Sequence, residues 1–471
     1  MQRSLLQHSL LLIGTVFLCA AASAQSQLPA TVEQELAAYP NLLQQIDAMA
    51  QPLIDDGLAV GLVVGVVHGD EILIRGFGET TLGNGKKPDK NTIFEIGSVS
   101  KVFTSILLAD AVNRGLVGLD DPLQEIVGER FQIQQFKDQP ILLWHLATHT
   151  SGLPRMPGNF MPKDPRNPYA DYSFEQLYAF LKAHKLRRAP GEKYEYSNLA
   201  VAVLGHSLAL IQDSTYPALL HRRITEPFGM TNTAVELSPI MRSRLAQGYD
   251  VDQNPQSNWD LPTFAGAGAI RSDMADMLRF AAANLHPEST SMEKALQLTQ
   301  EIRFEGKPGP KVGLAWHVGG GGATWMHNGQ TGGYHSYLEI WPEGDAAVVL
   351  LSTTSSNQID HLGMNITRLL MNKEQLPFQY RKPAPLEAED LQAFVGEYKK
   401  SFSGRVLVTV ENGKLFAQLS FQPKARVYPA GDDTFFYRIV QAEIQFKRDA
   451  DAKIISLEIH QNGAVTTWDR S

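Results

Sequence analysis

The chain has 471 residues, with 42 basic and 50 acidic side chains and a formal net charge of −8. At about 100–200 residues per domain this length predicts two or three domains, and 43% hydrophobic residues suffice for a sizeable core. The acidic balance gives no basic surface for nucleic acid, and a single cysteine excludes an intramolecular disulfide framework and a zinc site built on cysteines.

Residues 1–24 have the pattern of a secretory signal peptide. A basic start is followed by an apolar run over residues 10–22 and by a small-x-small sequence that ends at Ala24. Cys19 lies inside this segment, and bulky Leu18 before it disfavours lipidation. Cleavage after Ala24 leaves an exported, cysteine-free chain. No other run reaches the roughly 18 apolar residues of a membrane span.

Residues 25–376 alternate between helical and strand patterns and are expected to form the main domain. Apolar residues recur at helical spacing over residues 40–56. Strand-like segments on either side of Gly69-Asp70 then predict a β-hairpin, and five prolines within residues 154–168 predict a long surface loop. Further helices are predicted over residues 98–114, 173–184, 198–212 and 358–371, and strands over residues 58–68, 71–76, 324–328, 334–341 and 346–352.

A linker and a small all-β domain are predicted to follow. Residues 377–385 contain three prolines and no apolar periodicity, whereas residues 386–471 carry short strand patterns. Asn412-Gly413 and Asn462-Gly463 supply hairpin turns, because both central positions of such a turn need positive φ. The aromatic run Phe435–Tyr437 is expected in the core of this domain, with a binding surface as the alternative. The strands are predicted over residues 406–410, 415–419, 434–440, 442–448 and 453–460.

A serine and a lysine three residues apart open the predicted helix 98–114. Residues at i and i+3 share a helix face, so the Lys101 ammonium is expected beside the Ser98 hydroxyl. Such a hydroxyl becomes nucleophilic when a neighbour takes its proton, and a helix N-terminus favours developing negative charge. Taken alone the pattern is weak, since Ser98 as a helix cap and Lys101 as a solvated charge explain it equally well.

Two later motifs favour the catalytic interpretation. Tyr196 and Asn198 begin another predicted helix. A neighbouring lysine lowers the pKa of a tyrosine, so Tyr196 is a candidate general base for Ser98, and Asn198 can both donate to and accept from a substrate amide. The segment His327-Asn328-Gly329-Gln330 ends a predicted strand, where glycine allows a substrate to approach the backbone closely.

In this order the motifs resemble those of the penicillin-recognising serine hydrolases. Ser-x-x-Lys precedes Tyr-x-Asn and a strand ending in x-x-Gly, and residues 148–154 read Thr-His-Thr-Ser-Gly-Leu-Pro. Residues 94–101 resemble the active-site signature of class C β-lactamases, and the likeness spans residues 40–372. It implies an α/β (α+β) fold with a five-stranded antiparallel sheet, flanking helices and a helical lobe. The all-β tail resembles the lipocalin-like domain appended to some members.

The resemblance implies a role for each motif residue. Ser98 would be the nucleophile that becomes acylated, Tyr196 the general base, and Lys101 the group that stabilises the deprotonated base and shuttles protons. The other implied positions are Asn198, which orients the substrate amide, the backbone N–H groups of Ser98 and Gln330, which form the oxyanion hole, and Asn328 and Gly329, which line the strand edge that pairs with substrate.

His327, also a substrate-binding position, departs from the family pattern, because the third motif usually opens with lysine. Histidine is mostly neutral at pH 7, so recognition of a substrate carboxylate is expected to be weaker. Histidine here also resembles the D-aminopeptidase and esterase branches. The leading hypothesis is an exported class C-like β-lactamase. The alternatives are a D-alanyl-peptide carboxypeptidase or aminopeptidase acting on peptidoglycan fragments, a carboxylesterase, and a penicillin-binding sensor that is acylated without turnover.

No cofactor or metal is expected. The candidate histidines lack the spacing of a metal-binding motif, and structural roles are expected for His145, His149, His206 and His335. The expected partner is a small-molecule or peptidoglycan-derived amide or ester, not a nucleic acid. The predicted signal peptide indicates a periplasmic or secreted protein, and the oligomeric state stays open.

Overall fold

The computed structural model describes residues 36–471 except 308, 379, 401–403, 421, 423, 441 and 462–463. The predicted signal peptide with Cys19, and the predicted turn at Asn462-Gly463, lie outside the described residues. Within the described part of the chain, no helix combines the length and the apolar character that crossing a membrane requires.

An antiparallel sheet of eight strands forms the centre of the larger part of the chain, in the order β2-β1-β10-β9-β8-β7-β6-β5. Two further strands, β3 and β4, form a separate two-stranded sheet, and Arg271 of β4 also pairs with Ala234. The ten strands are β1 Gly61–His68, β2 Glu71–Gly78, β3 Phe94–Glu95, β4 Arg271–Ser272, β5 Phe304–Glu305, β6 Lys311–Val312, β7 His317–Gly319, β8 Thr324–Gln330, β9 His335–Trp341 and β10 Ala346–Ser352.

The five strands expected from the sequence form the contiguous run β2-β1-β10-β9-β8. The sheet is wider than expected because β7, β6 and β5 continue it beyond β8. Each of these has only two or three residues, too few for an alternating pattern to be visible in the sequence. The mixed fold and the antiparallel sheet are confirmed.

Helices cover both faces of the sheet. On one face lie α1 and α12, and on the other lie α10 and the helical lobe. The helices are α1 Leu42–Asp55, α2 Ser100–Asn113, α3 Leu123–Val127, α4 Leu143–Ala147, α5 Phe174–Ala183, α6 Asn198–Leu210, α7 Tyr216–Leu220, α8 Pro239–Ser243, α9 Ala265–Gly268, α10 Met274–Leu285, α11 Glu293–Thr299 and α12 Gln358–Leu370.

Neighbouring residues of the central strands divide between two cores. In β1, Val63 packs into the cluster on the α10 face and Val64 into the cluster on the α1 and α12 face. A strand that is buried on both sides needs a continuous apolar run rather than a strict alternation. This explains the Val- and Leu-rich sequences of β1 and β10.

Helix α2 is enclosed by the protein on nearly every side. Its residues 100–111 are buried, and it packs against α6, α9 and α11. The Thr104 hydroxyl donates a hydrogen bond to the Gly266 carbonyl of α9 at 2.6 Å. A helix surrounded in this way is an interior element, so its N-terminal end has a fixed position relative to α6 and α9.

The C-terminal part is a closed antiparallel barrel of eight strands around its own apolar core, which confirms the expected all-β domain. Asn412 and Gly413 have φ of 49° and 69°, as a tight hairpin turn requires. The barrel strands are β11 Gly396–Lys399, β12 Arg405–Glu411, β13 Lys414–Leu419, β14 Ala425–Gly431, β15 Thr434–Phe436, β16 Ala442–Arg448, β17 Ile454–Gln461 and β18 Ala464–Arg470.

The strand predicted over residues 434–440 is shorter, because β15 ends at Phe436 and a loop follows. Within the aromatic run, Phe435 points into the barrel core and is 1% exposed. Phe436 lies on the other side of the strand, with its ring 5.6 Å from that of Tyr428. The run therefore divides between core and outer surface.

Polar contacts attach the barrel to the larger part of the chain. Tyr428 donates to Asp252 Oδ1 at 2.8 Å. Arg438 donates to the backbone carbonyls of Asp56 and Gly57 at 2.7 and 3.1 Å. Asp56 is the residue after the last turn of α1, where backbone carbonyls lack helical partners and favour a cation. The barrel is thus anchored at the C-terminal end of α1.

The packing of α12 on β9 gives a stability prediction. An added Cβ at Gly363 would lie 2.3 Å from Cδ1 of Tyr337, a fully buried ring that cannot move aside. Within a helix, alanine is more favourable than glycine by about 1 kcal/mol, but overpacking a buried site costs about 1–3 kcal/mol. Gly363→Ala is therefore expected to lower the thermal unfolding midpoint.

The matched control is Gly158→Ala, where the new methyl would be 3.7 Å from Phe180, an ordinary contact. Its midpoint is expected to stay near that of the parent protein. A Gly363→Ala variant as stable as the parent would contradict this packing.

Candidate active site

The structure brings Ser98 and Lys101 together at the entry to α2. Ser98 lies in a single 3₁₀ turn, Gly97–Val99, that leads into the helix. Lys101 Nζ donates to Ser98 Oγ at 2.7 Å and to the Ala267 carbonyl of α9 at 2.6 Å. The Lys101 side chain is fully buried, and burial, helped by the positive charge of Arg155, lowers its pKa well below the usual value.

Tyr196 lies beside the same hydroxyl, immediately before α6. The Tyr196 phenol lies near enough to the Ser98 side chain for Ser98 to lower the phenol's pKa, and Lys101 Nζ lies 5.1 Å from the centre of the tyrosine ring. Ser197 fixes the start of α6, since its hydroxyl accepts from the Ala200 N–H at 2.9 Å. Three separate chain segments thus converge on Ser98 Oγ.

The pKa of Tyr196 differs from the sequence-based expectation. Burial raises it to about 12, although Ser98 and the charge of Arg155 act in the opposite direction. The expected lowering by Lys101 is absent because Lys101 is itself desolvated and its own pKa falls. At neutral pH the tyrosine is therefore a neutral phenol, and the lysine amine is the group more readily available to accept a proton.

Two glycines allow β8 to pass very close to the turn that carries Ser98. A Cβ on Gly329 would lie 2.1 Å from the Ile96 carbonyl and 2.8 Å from the Ser98 backbone nitrogen. A Cβ on Gly97 would lie 2.7 Å from the Gln330 backbone nitrogen. The N–H groups of Ser98 and Gln330 are therefore neighbours, an arrangement suited to a developing oxyanion.

The motif residues of β8 point to opposite faces of the sheet. His327 is buried on the Ser98 side, and burial together with His317 and Lys101 lowers its pKa well below the usual value, so it is neutral. Asn328 faces α12, where its side chain donates to Asp360 Oδ2 at 2.8 Å. Any contact of Asn328 with a substrate would therefore be made by its backbone.

Asn198 borders a small cavity beside the nucleophile. It is the first residue of α6, and its Nδ2 lies 3.8 Å from Met156 Sδ. The cavity holds about 30 Å³. Its other walls are Gly97, Ser98, Tyr169, Trp259, Leu261, Phe264, Ala267, Gly268, Gln330 and Thr331. A small substituent fits there more readily than a large one.

The sequence reasoning missed Arg155, which follows directly after the Thr148–Pro154 run. Its guanidinium lies 5.0 Å from the centre of the Tyr196 ring. The side chain is exposed, and no carboxylate in the described part of the chain pairs with it. The available signal was a cation placed directly after the Thr148–Pro154 run.

Histidines also surround Tyr196. The His149 ring lies 4.3 Å from the tyrosine ring, and its Nδ1 accepts from the Ser197 N–H at 3.1 Å. His317 Nε2 and the Tyr194 hydroxyl are hydrogen-bonded to each other at 2.8 Å. In the described residues, His, Cys, Asp and Glu form no group of three placed to hold a metal ion.

The other candidate histidines have structural partners. His145 Nδ1 accepts from the Leu142 N–H at 3.0 Å at the start of α4. His206 bonds to the Tyr178 hydroxyl, and His335 pairs with Asp360 at 2.7 Å.

Comparison with known sequences identifies two families. Residues 46–370 match the sequence model described as Beta-lactamase, and residues 380–469 match one described as Domain of unknown function (DUF3471). The chain is 29% identical over 353 residues to D-alanyl-D-alanine-carboxypeptidase/endopeptidase AmpH of Escherichia coli strain K12, covering 70% of this chain and 89% of that protein. It is 27% identical over 285 residues to a Beta-lactamase of Pseudomonas fluorescens, covering 59% and 75%.

Solved structures show the same fold. A Beta-lactamase/D-alanine Carboxypeptidase from Yersinia pestis aligns with a TM-score of 0.62 at 27% identity, covering 70% of this chain and 99% of that one. A class C beta-lactamase aligns with a TM-score of 0.61 at 22% identity, covering 69% and 96%.

The position of Arg155 predicts a pH effect. Its charge lowers the pKa of both Lys101 and Tyr196, so Arg155→Gln raises both values, and a higher pH is then needed to free either group as a base. The acidic limb of the kcat/KM profile for a nitrophenyl ester is expected to move to higher pH. Arg155→Lys keeps the charge and serves as the control. A limb that stays in place or moves to lower pH would disprove the coupling.

The close approach of β8 predicts a rate effect. Gly329→Ala forces the strand away from Ser98, and loss of one oxyanion donor typically costs about 10²–10³ in rate. Gly268 lines the cavity beside Ser98. A Cβ there would make only ordinary contacts, the nearest at 3.5 Å, so Gly268→Ala is expected to keep most of the rate. Rates are compared on folded protein, checked by circular dichroism, and equal rates would disprove the assignment.

Proposed function

Because the chain belongs to the Beta-lactamase family, we propose that it is an exported hydrolase that opens β-lactam rings through an acyl intermediate on Ser98. The observation that carries the proposal is the convergence of the Lys101 amine and the Tyr196 phenol on the Ser98 hydroxyl. A serine hydroxyl with a proton acceptor at hydrogen-bond distance is the arrangement of an activated nucleophile.

In the acylation step Ser98 Oγ attacks the carbonyl carbon of the substrate. The hydroxyl proton passes to the pair formed by Lys101 and Tyr196, whose low lysine pKa and high tyrosine pKa leave the amine free to accept it. The C–N bond of the lactam then breaks, and the same proton moves to the departing nitrogen.

The tetrahedral intermediate is held by the backbone N–H groups of Ser98 and Gln330. In the deacylation step a water molecule attacks the ester carbon, gives its proton to the Lys101–Tyr196 pair, and Ser98 recovers its hydroxyl. Asn198, at the rim of the cavity, orients the substrate amide. Gly329 and the backbone of Asn328 form the strand edge along which the substrate lies.

A second candidate activity is hydrolysis of an ester, or of a peptide bond that has no carboxylate beside it. The observation that favours it is His327, which is buried and neutral where the family usually has a permanent cation. A site without that cation loses an attraction for the carboxylate of a β-lactam or of a C-terminal D-alanyl peptide, whereas an internal peptide bond or an ester has no such carboxylate to bind. One relative, which covers 70% of this chain, is named as a carboxypeptidase and endopeptidase; for a carboxypeptidase activity of this chain, His327 predicts weaker binding of the substrate carboxylate.

Export is part of the proposal and is supported by the N-terminal pattern. Residues 1–24 combine a basic start, an apolar run and a small-x-small ending. The periplasm is where peptidoglycan fragments and β-lactams are both encountered.

Three substrates separate the activities. A chromogenic cephalosporin, an acetylated D-Ala-D-Ala peptide and nitrophenyl acetate are each incubated with the protein, and turnover is followed with time. Cephalosporin hydrolysis is the expected result. Turnover of the ester alone would remove the β-lactamase assignment, and stable labelling by a fluorescent penicillin without hydrolysis would favour a sensor.

The nucleophile is tested by Ser98→Ala, which is expected to abolish turnover and the mass increase on reaction with a β-lactam. A rate loss of about 10³-fold or more is typical for removal of a serine nucleophile. Ser105→Ala on the same helix is the control, because Ser105 Oγ is buried without a hydrogen-bond partner among the described residues. A Ser98→Ala variant with near-normal rate would place the nucleophile elsewhere.

A further inference from the structure

A cleft of about 500 Å³ separates the barrel from the larger part of the chain. Its wall on the hydrolase side includes residues 355–358, between β10 and α12, and its wall on the barrel side includes residues 436–439. Gln330 lines both this cleft and the cavity that contains Ser98. The cleft therefore lies next to the residue whose backbone N–H belongs to the proposed oxyanion hole.

The barrel contributes an apolar surface to this cleft. Residues 437–440, which we call the barrel loop, connect β15 to β16. Ile439 lines the cleft and is 53% exposed, and its neighbour Val440, outside the cleft lining, is 43% exposed. Short hairpin connections usually carry Gly, Asn, Asp or Ser, so adjacent aliphatic side chains at such a place call for an explanation. Exposed apolar patches next to polar walls commonly mark a contact surface.

The barrel loop is held in place relative to Ser98. Its Arg438 binds the backbone carbonyls after α1 at 2.7 and 3.1 Å, and its guanidinium lies 4.0 Å from the centre of the Tyr428 ring. Tyr428 in turn donates to Asp252. These contacts hold the barrel loop in a defined position, so the barrel-side wall of the cleft is fixed relative to the hydrolase side.

We propose that this cleft binds the peptide chain of an extended substrate, with the barrel loop contacting a side chain remote from the scissile bond. This deepens the proposed hydrolase function and rests on it. The inference gives a role to the family match described only as a domain of unknown function.

The chemistry of the two walls suits a peptide. Ser355 and Asn357 offer hydroxyl and amide groups to a peptide backbone, and Ile439 offers an apolar contact to a side chain. The volume falls within the roughly 300–1,000 Å³ typical of ligand sites. The cavity beside Ser98, in contrast, holds only about 30 Å³, so the part of a long substrate that is remote from the scissile bond must lie outside it.

The test compares a short and a long substrate in two variants. Nitrophenyl acetate is the short probe, and the pentapeptide L-Ala-γ-D-Glu-L-Lys-D-Ala-D-Ala is the long one. The pentapeptide is measured both as a substrate and as an inhibitor of acetate hydrolysis. The variant is Ile439→Ser, and the matched control is Ile455→Ser, an isoleucine of β17 that is 48% exposed and lies outside the cleft lining.

Ile439→Ser is expected to lower kcat/KM for the pentapeptide, or to raise its inhibition constant, by about fivefold, because a half-buried aliphatic contact is lost. Acetate hydrolysis is expected to be unchanged, as is every value for Ile455→Ser. Equal loss in both variants, equal loss for both probes, or a pentapeptide that is neither cleaved nor inhibitory would overturn the inference. Failure of the proposed function is distinguishable, because it appears as loss of cephalosporin hydrolysis and of Ser98 labelling by a β-lactam in the parent protein, whatever the two isoleucine variants do.

Discussion

The site around Ser98 depends on the burial of one lysine amine. Lys101 lies inside the molecule, bonded to Ser98 Oγ and to a single backbone carbonyl of α9. An ammonium in that position lacks the solvation that favours its charge, so its pKa falls. The enclosure of α2 by α6, α9 and α11 creates this desolvation, and the neutral amine that it favours is the proton acceptor of the proposed mechanism.

The second constraint is the distance between β8 and the turn that precedes α2. Gly97 and Gly329 meet there, and at either position an added Cβ would collide with backbone atoms of the other segment. The sheet and the helical lobe thus contribute to the proposed oxyanion site from two different layers. On the opposite face of the sheet, Asp360 of α12 binds Asn328 of β8 and His335 of the neighbouring β9, so β8 is held on both of its faces.

Local patterns in the sequence predicted the parts of the fold that depend on local physics. The β1–β2 hairpin and the helix 358–371 follow from apolar periodicity, and Asn412-Gly413 follows from turn chemistry. The sequence indicated that Ser98, Lys101 and Tyr196 lie together through the order of their motifs, not through any predicted geometry. What could not be predicted depends on tertiary context: the short strands β5 to β7, the high pKa of Tyr196, the face to which Asn328 points, and the proximity of Arg155 to the tyrosine ring.

The closed barrel has a consequence for how substrate preference can change. Every barrel strand has a hydrogen-bonded neighbour on each side, so the scaffold does not depend on the side chains at the end of its β15–β16 hairpin. Substitutions of the exposed Ile439 and Val440 can therefore accumulate at little cost to folding. The residues around Ser98 lie on other segments of the chain and are insulated from such changes. With the substrate contact that we propose for the barrel loop, the barrel becomes an evolvable surface, on which new selectivity can arise while the acyl-transfer chemistry stays constant.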